Sequence, residues 1–335
     1  MVRRKDSLEP PLQVGSCGLI DNQMKRSTWK TITGLVAALL LVVALRCCVA
    51  TTFYIPDAGM ENSLLKGDHI LVNKWSYGLR LPGMGLWGYH RWRSHPARKE
   101  DILLFNNPYQ PSQPVIADRE VFIGRCLGAP GDTLLIDSLF FVDSSSQLAP
   151  DQKYLYRYPC EREAQLQQLL VGLHIAPGVL QGQDSLHHLR SFSRYEYYLL
   201  EQSLPDSCWI APASSTDSTQ LLHPLVVPRH GKPVHVYPWN ITLLRNTLLL
   251  HEHRQADIRH DTLYVEGQPV NDVVFCHDYY WIGANNSVNM QDSRLFGFVP
   301  HSHLIGRASR IWFSKDPDAS FFDGYRWQRM GQKVK

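Results

Sequence analysis

Apolar residues fall into one long run near the start of the chain and many shorter segments after it. The long run, TITGLVAALLLVVAL at residues 31–45, contains no charged residue, and Arg46 follows it. A membrane-spanning helix needs about 20 residues, so a span must include Arg46. Near a helix end, a long basic side chain can reach the headgroup layer. The pattern therefore predicts a single N-terminal transmembrane helix over residues 31–53.

The flanking charges predict the orientation of this helix. Residues 1–30 contain more basic than acidic side chains, which favours a cytoplasmic location for them. Residues from 54 onward are then expected on the outer (periplasmic or extracytoplasmic) side of the inner or plasma membrane. The alternative is a cleavable signal peptide with its site at residues 48–50. The long charged leader and Arg46 argue against that alternative.

The shorter apolar segments predict a mostly β protein. Residues 64–76 and 101–105 have the composition of strands, and residues 263–275 that of a hairpin turning at Glu266-Gly267. Helical spacing occurs within 137–261, in EREAQLQQLLVG and in VYPWNITLLRNTLLLHEH. The stretch 79–99 is rich in Gly, Pro, Trp and Arg. It is interpreted either as a membrane-surface segment or as a solvated loop with packed tryptophans.

Composition and charge argue against nucleic-acid binding and against a metal or cofactor site. The chain has 335 residues, 44% of them hydrophobic, and its net charge of +3 does not favour nucleic acid as a partner. Seven cysteines occur without a Cys-x-x-Cys pair, and no His pair has the i, i+4 spacing of a zinc motif. We expect no metal and no cofactor. Cys160 and Cys208 are candidates for a disulfide if this part faces an oxidising compartment.

Three blocks of the chain carry a recognisable order of residues. The first is YIPDAGMENSLLKGDHILVNKWSYG at 54–78, and the second is VFIGRCLGAPGDTLLI at 121–136. The third, GANNSVNMQDSRLFGFVP followed by HLIGRASRIWFS, lies at 283–314. Together they resemble the type I signal peptidases, membrane-bound serine endopeptidases whose Ser/Lys dyad removes signal peptides from exported proteins.

The resemblance implies an architecture as well as a substrate. Residues 54–136 and 262–335 are expected to form an antiparallel β-sheet core like the catalytic core of signal peptidases. Residues 137–261 are expected to form an inserted second α+β domain. The core is expected to follow the cytoplasmic tail 1–30 and the membrane span 31–53. The resemblance further implies that the partners are signal peptides or preproteins and the lipid bilayer.

The residues that carry the family's chemistry are absent from the matching positions. The nucleophilic serine falls on Gly59, the general-base lysine on Gly124, and the serine that orients the base on Met290. The serine that completes the oxyanion hole falls on Asp57. A glycine has no side chain with which to attack a carbonyl or accept a proton. No catalytic residue is therefore expected to be intact.

Other residues of the pattern remain and are expected to shape the groove or its framework. The set is Met60, Arg125, Asp132, Asp292, Ser293 and Arg294. Asp292 and Arg294 are expected to form an ion pair.

Three functional hypotheses follow from these observations. The first is a non-catalytic homologue, a pseudoenzyme that binds exported peptides or an active signal peptidase. The second is an active signal peptidase with relocated catalytic groups, for which Ser63, Lys66 and Lys74 are the nearest candidates. The third is a structural membrane protein that has also lost the groove.

Overall fold

A computed structural model describes most of the chain in two compact units, Met1–Cys47 and Cys48–Lys335. The described residues are 32–39, 42, 49–110, 112–137, 140–142, 153–175, 177–178, 180–183, 185–204, 209–213, 222–286 and 291–334. In the first unit, residues 32–39 are helical (α1). Among the described residues, no helix combines the length and the apolar character that crossing a membrane requires.

The segment predicted as a transmembrane helix lies partly outside the described residues, at 31, 40–41 and 43–48. Its last four residues belong to a strand, Ala50–Tyr54, so the helical prediction was wrong for them. Thr51, Thr52 and Phe53 have branched or aromatic side chains that favour strands. Their pairing with the next strand adds hydrogen bonds that a helix ending here would not make.

The second unit is mostly β, as predicted. Its strands are β1 Ala50–Tyr54, β2 Asp68–Asn73, β3 Leu79–Arg80, β4 Arg91–Trp92, β5 Ile102–Asn106, β6 Val121–Gly128, β7 Thr133–Ile136, β8 Lys153–Pro159, β9 Gly182–Gln183, β10 His187–Ser193, β11 Ala211–Pro212, β12 His223–Val226, β13 Pro233–His235, β14 Ala256–Arg259, β15 Thr262–Val265, β16 Gln268–Val270, β17 Asp272–Val274, β18 Tyr279–Gly283, β19 Val299–Pro300 and β20 Leu304–Ser314. Its helices are α2 Met84–Trp87, α3 Glu163–Gly172, α4 Arg194–Gln202, α5 Ile241–His251 and α6 Ser293–Phe296. Short 3₁₀ turns lie at Ile116–Asp118, Cys160–Arg162, His301–His303 and Trp327–Arg329.

A curled antiparallel sheet with the strand order β1-β2-β20-β5-β6-β18-β19 organises the unit. Its middle strand, β5, is buried on both faces, which explains the unbroken apolar run of that strand. Ile102 and Leu104 face one core with Met60, whereas Leu103 and Phe105 face another. The sheet thus holds the turn that follows β1 against one of its faces.

The region between β7 and β14 contributes to two separate cores. Strands β8–β11 form a second sheet, against which α3 and α4 pack through Leu166, Leu170 and Leu200. Helix α5 packs instead against β14 and β15, and its Leu244 and Leu248 belong to a core shared with Trp281 of β18. The predicted helices and the hairpin turn at Glu266-Gly267 are present. The predicted domain boundaries at 137 and 261 remain predictions.

Candidate functional site

The turn after β1 places Gly59 in a buried position at the edge of the main sheet. The Met60 carbonyl accepts from the Leu64 amide at 2.7 Å and closes this turn, and the Met60 side chain is fully buried beneath it. The Gly59 carbonyl accepts a hydrogen bond from the Asn286 amide at 3.0 Å. The loop after β18 therefore holds the turn in place.

Two cavities open on either side of Gly59. A groove of about 260 Å³ has on one side Phe53 of β1 and Asp57 of the turn after it, and on the other the start of β6, including Ile123. A wider cavity of about 830 Å³ lies on the other side, where Pro177 and Gly178 of the loop after α3 approach the turn. We refer to the smaller one as the edge groove.

The first residues of β6 present their peptide groups to the edge groove. The Glu120 carbonyl accepts from Asn107 at 2.7 Å, and the Cys126 amide donates to Asp101 at 2.9 Å, so these even-numbered residues bond toward β5. In an antiparallel ladder, alternate residues bond to opposite neighbours. Val121 and Ile123 therefore direct their peptide groups away from β5. The neighbouring strand β18 pairs with β6 only from residue 125 onward.

The opposite wall of the edge groove is also a strand edge. In the described residues, β1 pairs on one side only, with β2. The edge groove is thus a gap between two strands, and an extended peptide can fill such a gap by adding a strand.

The position expected for the general base cannot hold a longer side chain without a change nearby. A Cβ atom added to Gly124 would lie 2.5 Å from the Cγ2 atom of Ile282 on β18. A methyl group on a branched, buried side chain has little freedom to move away. Met290, the position expected to orient the base, lies outside the described residues.

Asp57 lies at the position expected to complete the oxyanion hole. Its side chain accepts a hydrogen bond from a backbone N–H group that could otherwise donate to an oxyanion. Its Oδ1 atom accepts a hydrogen bond from the Gly59 amide at 2.8 Å. An oxyanion hole needs free N–H groups aimed at the developing negative charge. Here a carboxylate already accepts the N–H group, and its own charge opposes an oxyanion.

Ser63, the nearest candidate for a relocated nucleophile, is part of a structural network. Its hydroxyl accepts from the Arg125 guanidinium at 2.7 Å and from the Asn285 side chain at 3.1 Å. Arg125 is almost fully buried and also contacts Glu100 at 3.4 Å. Lys66, a candidate base, pairs instead with Asp318 at 3.1 Å in solvent.

The remaining framework residues hold loops around the site. Asp292 is buried, accepts from the Ala284 amide at 2.8 Å, and forms the expected ion pair with Arg294 at 2.5 Å. The Ser293 hydroxyl accepts from the Ile282 amide at 2.9 Å. Asp132 accepts from the Ala129 amide at 2.8 Å and closes the turn before β7.

The structure also brings a residue to the site that the sequence did not indicate. Lys153, at the start of β8, is 1% exposed, and its Nζ atom lies 3.2 Å from Glu61 and 3.8 Å from Glu196. Its amide donates to the Asn285 carbonyl at 2.7 Å. A lysine that starts an alternating strand normally faces solvent, so no local signal distinguishes it. Lys153 is therefore an ion-pair partner of two acidic side chains beside the turn.

The chain is similar in sequence to known proteins. A family model described as "Signal peptidase, peptidase S26" matches residues 28–181. A protein named Signal peptidase I from Buchnera aphidicola (strain Sg) is 24% identical over 308 residues, covering 92% of this chain and 82% of its own length. Its namesake from Aquifex aeolicus is 24% identical over 285 residues, covering 85% and 84%. That of Pseudomonas aeruginosa is 33% identical over 99 residues, covering 29% and 30%.

Proposed function

Because this chain belongs to the signal peptidase I family, peptidase S26, we propose that it is a non-catalytic member that binds the segments its relatives cleave. The observation that carries the proposal is the edge groove between β1 and β6, which persists beside a glycine where the nucleophile is expected. The bound partner is the small-residue end of a signal peptide in an exported preprotein. An active signal peptidase, which would be regulated by this chain, is a further partner compatible with the same groove.

Three features support the absence of peptidase chemistry. Gly59 offers no hydroxyl, and Gly124 packs so closely on Ile282 that no side chain fits there as the core stands. Asp57 accepts the Gly59 amide that would otherwise bind an oxyanion. Loss of one member of a catalytic unit already costs several orders of magnitude in rate. Loss of nucleophile and base together removes the covalent route.

The groove supports binding by strand addition. The peptide groups of Val121 and Ile123 point into it, and the β1 edge faces them. An extended peptide between the two edges gains main-chain hydrogen bonds, while the narrow space favours small side chains. This mode requires no catalytic group. We further propose that the apolar segment before β1 anchors the unit to the membrane, with the groove on the outer side.

A peptide-binding assay with backbone-modified ligands tests the binding mode. Full-length protein in detergent is titrated with a labelled peptide that carries a small-residue signal-peptide end, and fluorescence anisotropy is measured. Each backbone nitrogen of the peptide is methylated in turn. Strand addition predicts weaker binding at every second position, because alternate N–H groups bond to one edge. Equal effects at all positions, or no binding of the unmodified peptide, would contradict the proposal.

A cleavage assay tests the absence of chemistry. We expect the natural protein to leave a preprotein intact. The Gly59→Ser, Gly124→Lys variant is expected to stay inactive, since Ile282 obstructs residue 124. Adding Asp57→Ser and Ile282→Ala removes the obstruction and frees the Gly59 amide, so this set of four changes is the one expected to gain activity. Cleavage by the natural protein at a normal signal-peptide site would instead show relocated catalytic groups.

A further inference from the structure

The edge groove continues into a larger cavity of about 1100 Å³ between α5, the loop that carries α6, and the start of β6. Glu120, Phe122 and Gln291 line both spaces, so a chain leaving the groove at this end enters the larger one directly. We refer to the larger space as the α5 cavity. It lies in the direction that leads away from Gly59 along β6.

The walls of the α5 cavity combine an apolar part, which includes Phe122, Phe296 and Leu250, with a polar part that includes Glu120 and Arg245. Phe122 and Phe296 stack with their rings 5.8 Å apart and 12° from parallel. Leu250 on α5 is 38% exposed, and Leu295 on α6 is 65% exposed, although both are large and apolar. Helix α5 thus buries Leu244 and Leu248 in the core and presents Leu243, Leu249 and Leu250 to the cavity beside polar side chains such as Arg245.

The edge groove is smaller than the α5 cavity, just as the side chains at the cleavage site of a signal peptide are smaller than those of its apolar region. Such peptides have an apolar region of about 7–15 residues followed by a cleavage site of small residues. The edge groove, at about 260 Å³, is narrow, whereas the α5 cavity has about four times that volume. A volume near 1000 Å³ suits a drug-sized ligand, or a few large side chains, and not a whole apolar region.

We propose that the α5 cavity binds the last apolar residues of a signal peptide whose small-residue end lies in the edge groove. This inference rests on the proposed function and adds a determinant of which peptides bind. Because the two spaces are continuous, we expect the α5 cavity to be occupied by the same peptide that lies in the edge groove. Burial of leucine side chains against Phe122, Phe296 and Leu250 supplies affinity that the narrow groove does not.

Three synthetic peptides and two protein variants test the proposal. One peptide holds the small-residue end alone, the second adds three leucines before it, and the third adds three leucines after it. Binding to full-length protein in nanodiscs is measured by anisotropy, with empty nanodiscs as the blank. The variants are Leu250→Glu, in the cavity, and Val274→Glu, at an exposed position outside it (38% and 46% exposed).

We expect the leucines placed before the small residues to tighten binding to the natural protein by about tenfold. Leu250→Glu is expected to abolish that gain and to leave the short peptide unaffected, whereas Val274→Glu changes neither. Equal affinity for all three peptides, or a gain from the leucines placed after the small residues, would overturn the inference. No binding of the short peptide would instead defeat the proposed function.

A crosslinking measurement decides the case in which Leu250→Glu weakens both peptides by disturbing the fold. Benzoylphenylalanine replaces Tyr109, which lines the α5 cavity, or Tyr195, a more exposed tyrosine on α4 outside it (55% and 68% exposed). On irradiation, the leucine-extended peptide is expected to crosslink from residue 109 and not from residue 195. Equal crosslinking from both positions would overturn the inference.

Discussion

The buried ion cluster around Lys153 should make a large and separable contribution to stability. The Lys153, Glu61 and Glu196 side chains are 1%, 9% and 12% exposed, and the ammonium lies 3.2 Å and 3.8 Å from the two carboxylates. Lys153→Met keeps most of the stem volume but leaves two buried carboxylates without a counter-ion. Removal of one partner from a buried ion pair costs about 3–5 kcal/mol. We expect the free energy of unfolding to fall by that amount.

The double variant Lys153→Met, Glu61→Gln separates charge from packing. Glu61→Gln removes one of the two stranded charges, so the double variant should lose at least about 1 kcal/mol less than the sum of the single variants. Glu196 is unsuitable for this purpose, because it also caps α4 through Ser193.

Thermal unfolding of full-length protein in one detergent is a sufficient assay. In a protein of this size, 1 kcal/mol corresponds to about 2 °C, so Lys153→Met should lower the Tm by about 6–10 °C. The matched control is Lys66→Met, whose partner Asp318 is solvent-exposed and whose loss should cost less than about 1 kcal/mol. Equal Tm values for the two lysine variants, or strict additivity in the double variant, would refute the reasoning.

Three further predictions follow from single contacts. Burial lowers the pKa of His301 to about 4, below its unfolded value of about 6.5. Between these pH values the unfolded chain binds more protons than the folded one, so the free energy of unfolding falls as the pH falls. His301→Gln should reduce that slope by up to about 1.4 kcal/mol per pH unit, measured by urea unfolding at pH 7 and 5. Gly124→Ala should cost about 1–3 kcal/mol through its 2.5 Å approach to Ile282, and thermal unfolding should show a smaller cost when Ile282→Ala is already present. Asp57→Ala frees the Gly59 amide and should tighten peptide binding by about 2- to 10-fold in the anisotropy assay; weaker binding would contradict the assignment.

Local patterns predicted most of the framework. Alternation and apolar runs marked β2, β5 and the hairpin at residues 266–267, because side-chain direction repeats every two residues in a strand. The order of motifs gives the prediction that Gly59 and Gly124 occupy the nucleophile and base positions, and this assignment stays a prediction. The predicted Asp292–Arg294 ion pair is local and is present.

The end of the predicted transmembrane helix shows where local patterns mislead. Hydropathy does not distinguish an apolar helix from an apolar strand over a few residues, and Ala50–Tyr54 pair with β2 instead of extending a helix. The partner strand lies some twenty residues further along the chain. Its effect on the conformation is therefore invisible in the segment itself.

The character of the site was decided by contacts between residues far apart in the sequence. Lys153 meets Glu61 and Asn285, and Ile282 closes the space beside Gly124, only after the strands have paired. The edge groove likewise exists because the fold brings the end of β1 close to the start of β6, and the α5 cavity exists because α5 and α6 lie beside that same end of β6. The sequence predicts which catalytic groups are missing. Tertiary packing determines what fills their places and what space remains, because neither property belongs to any one segment of the chain.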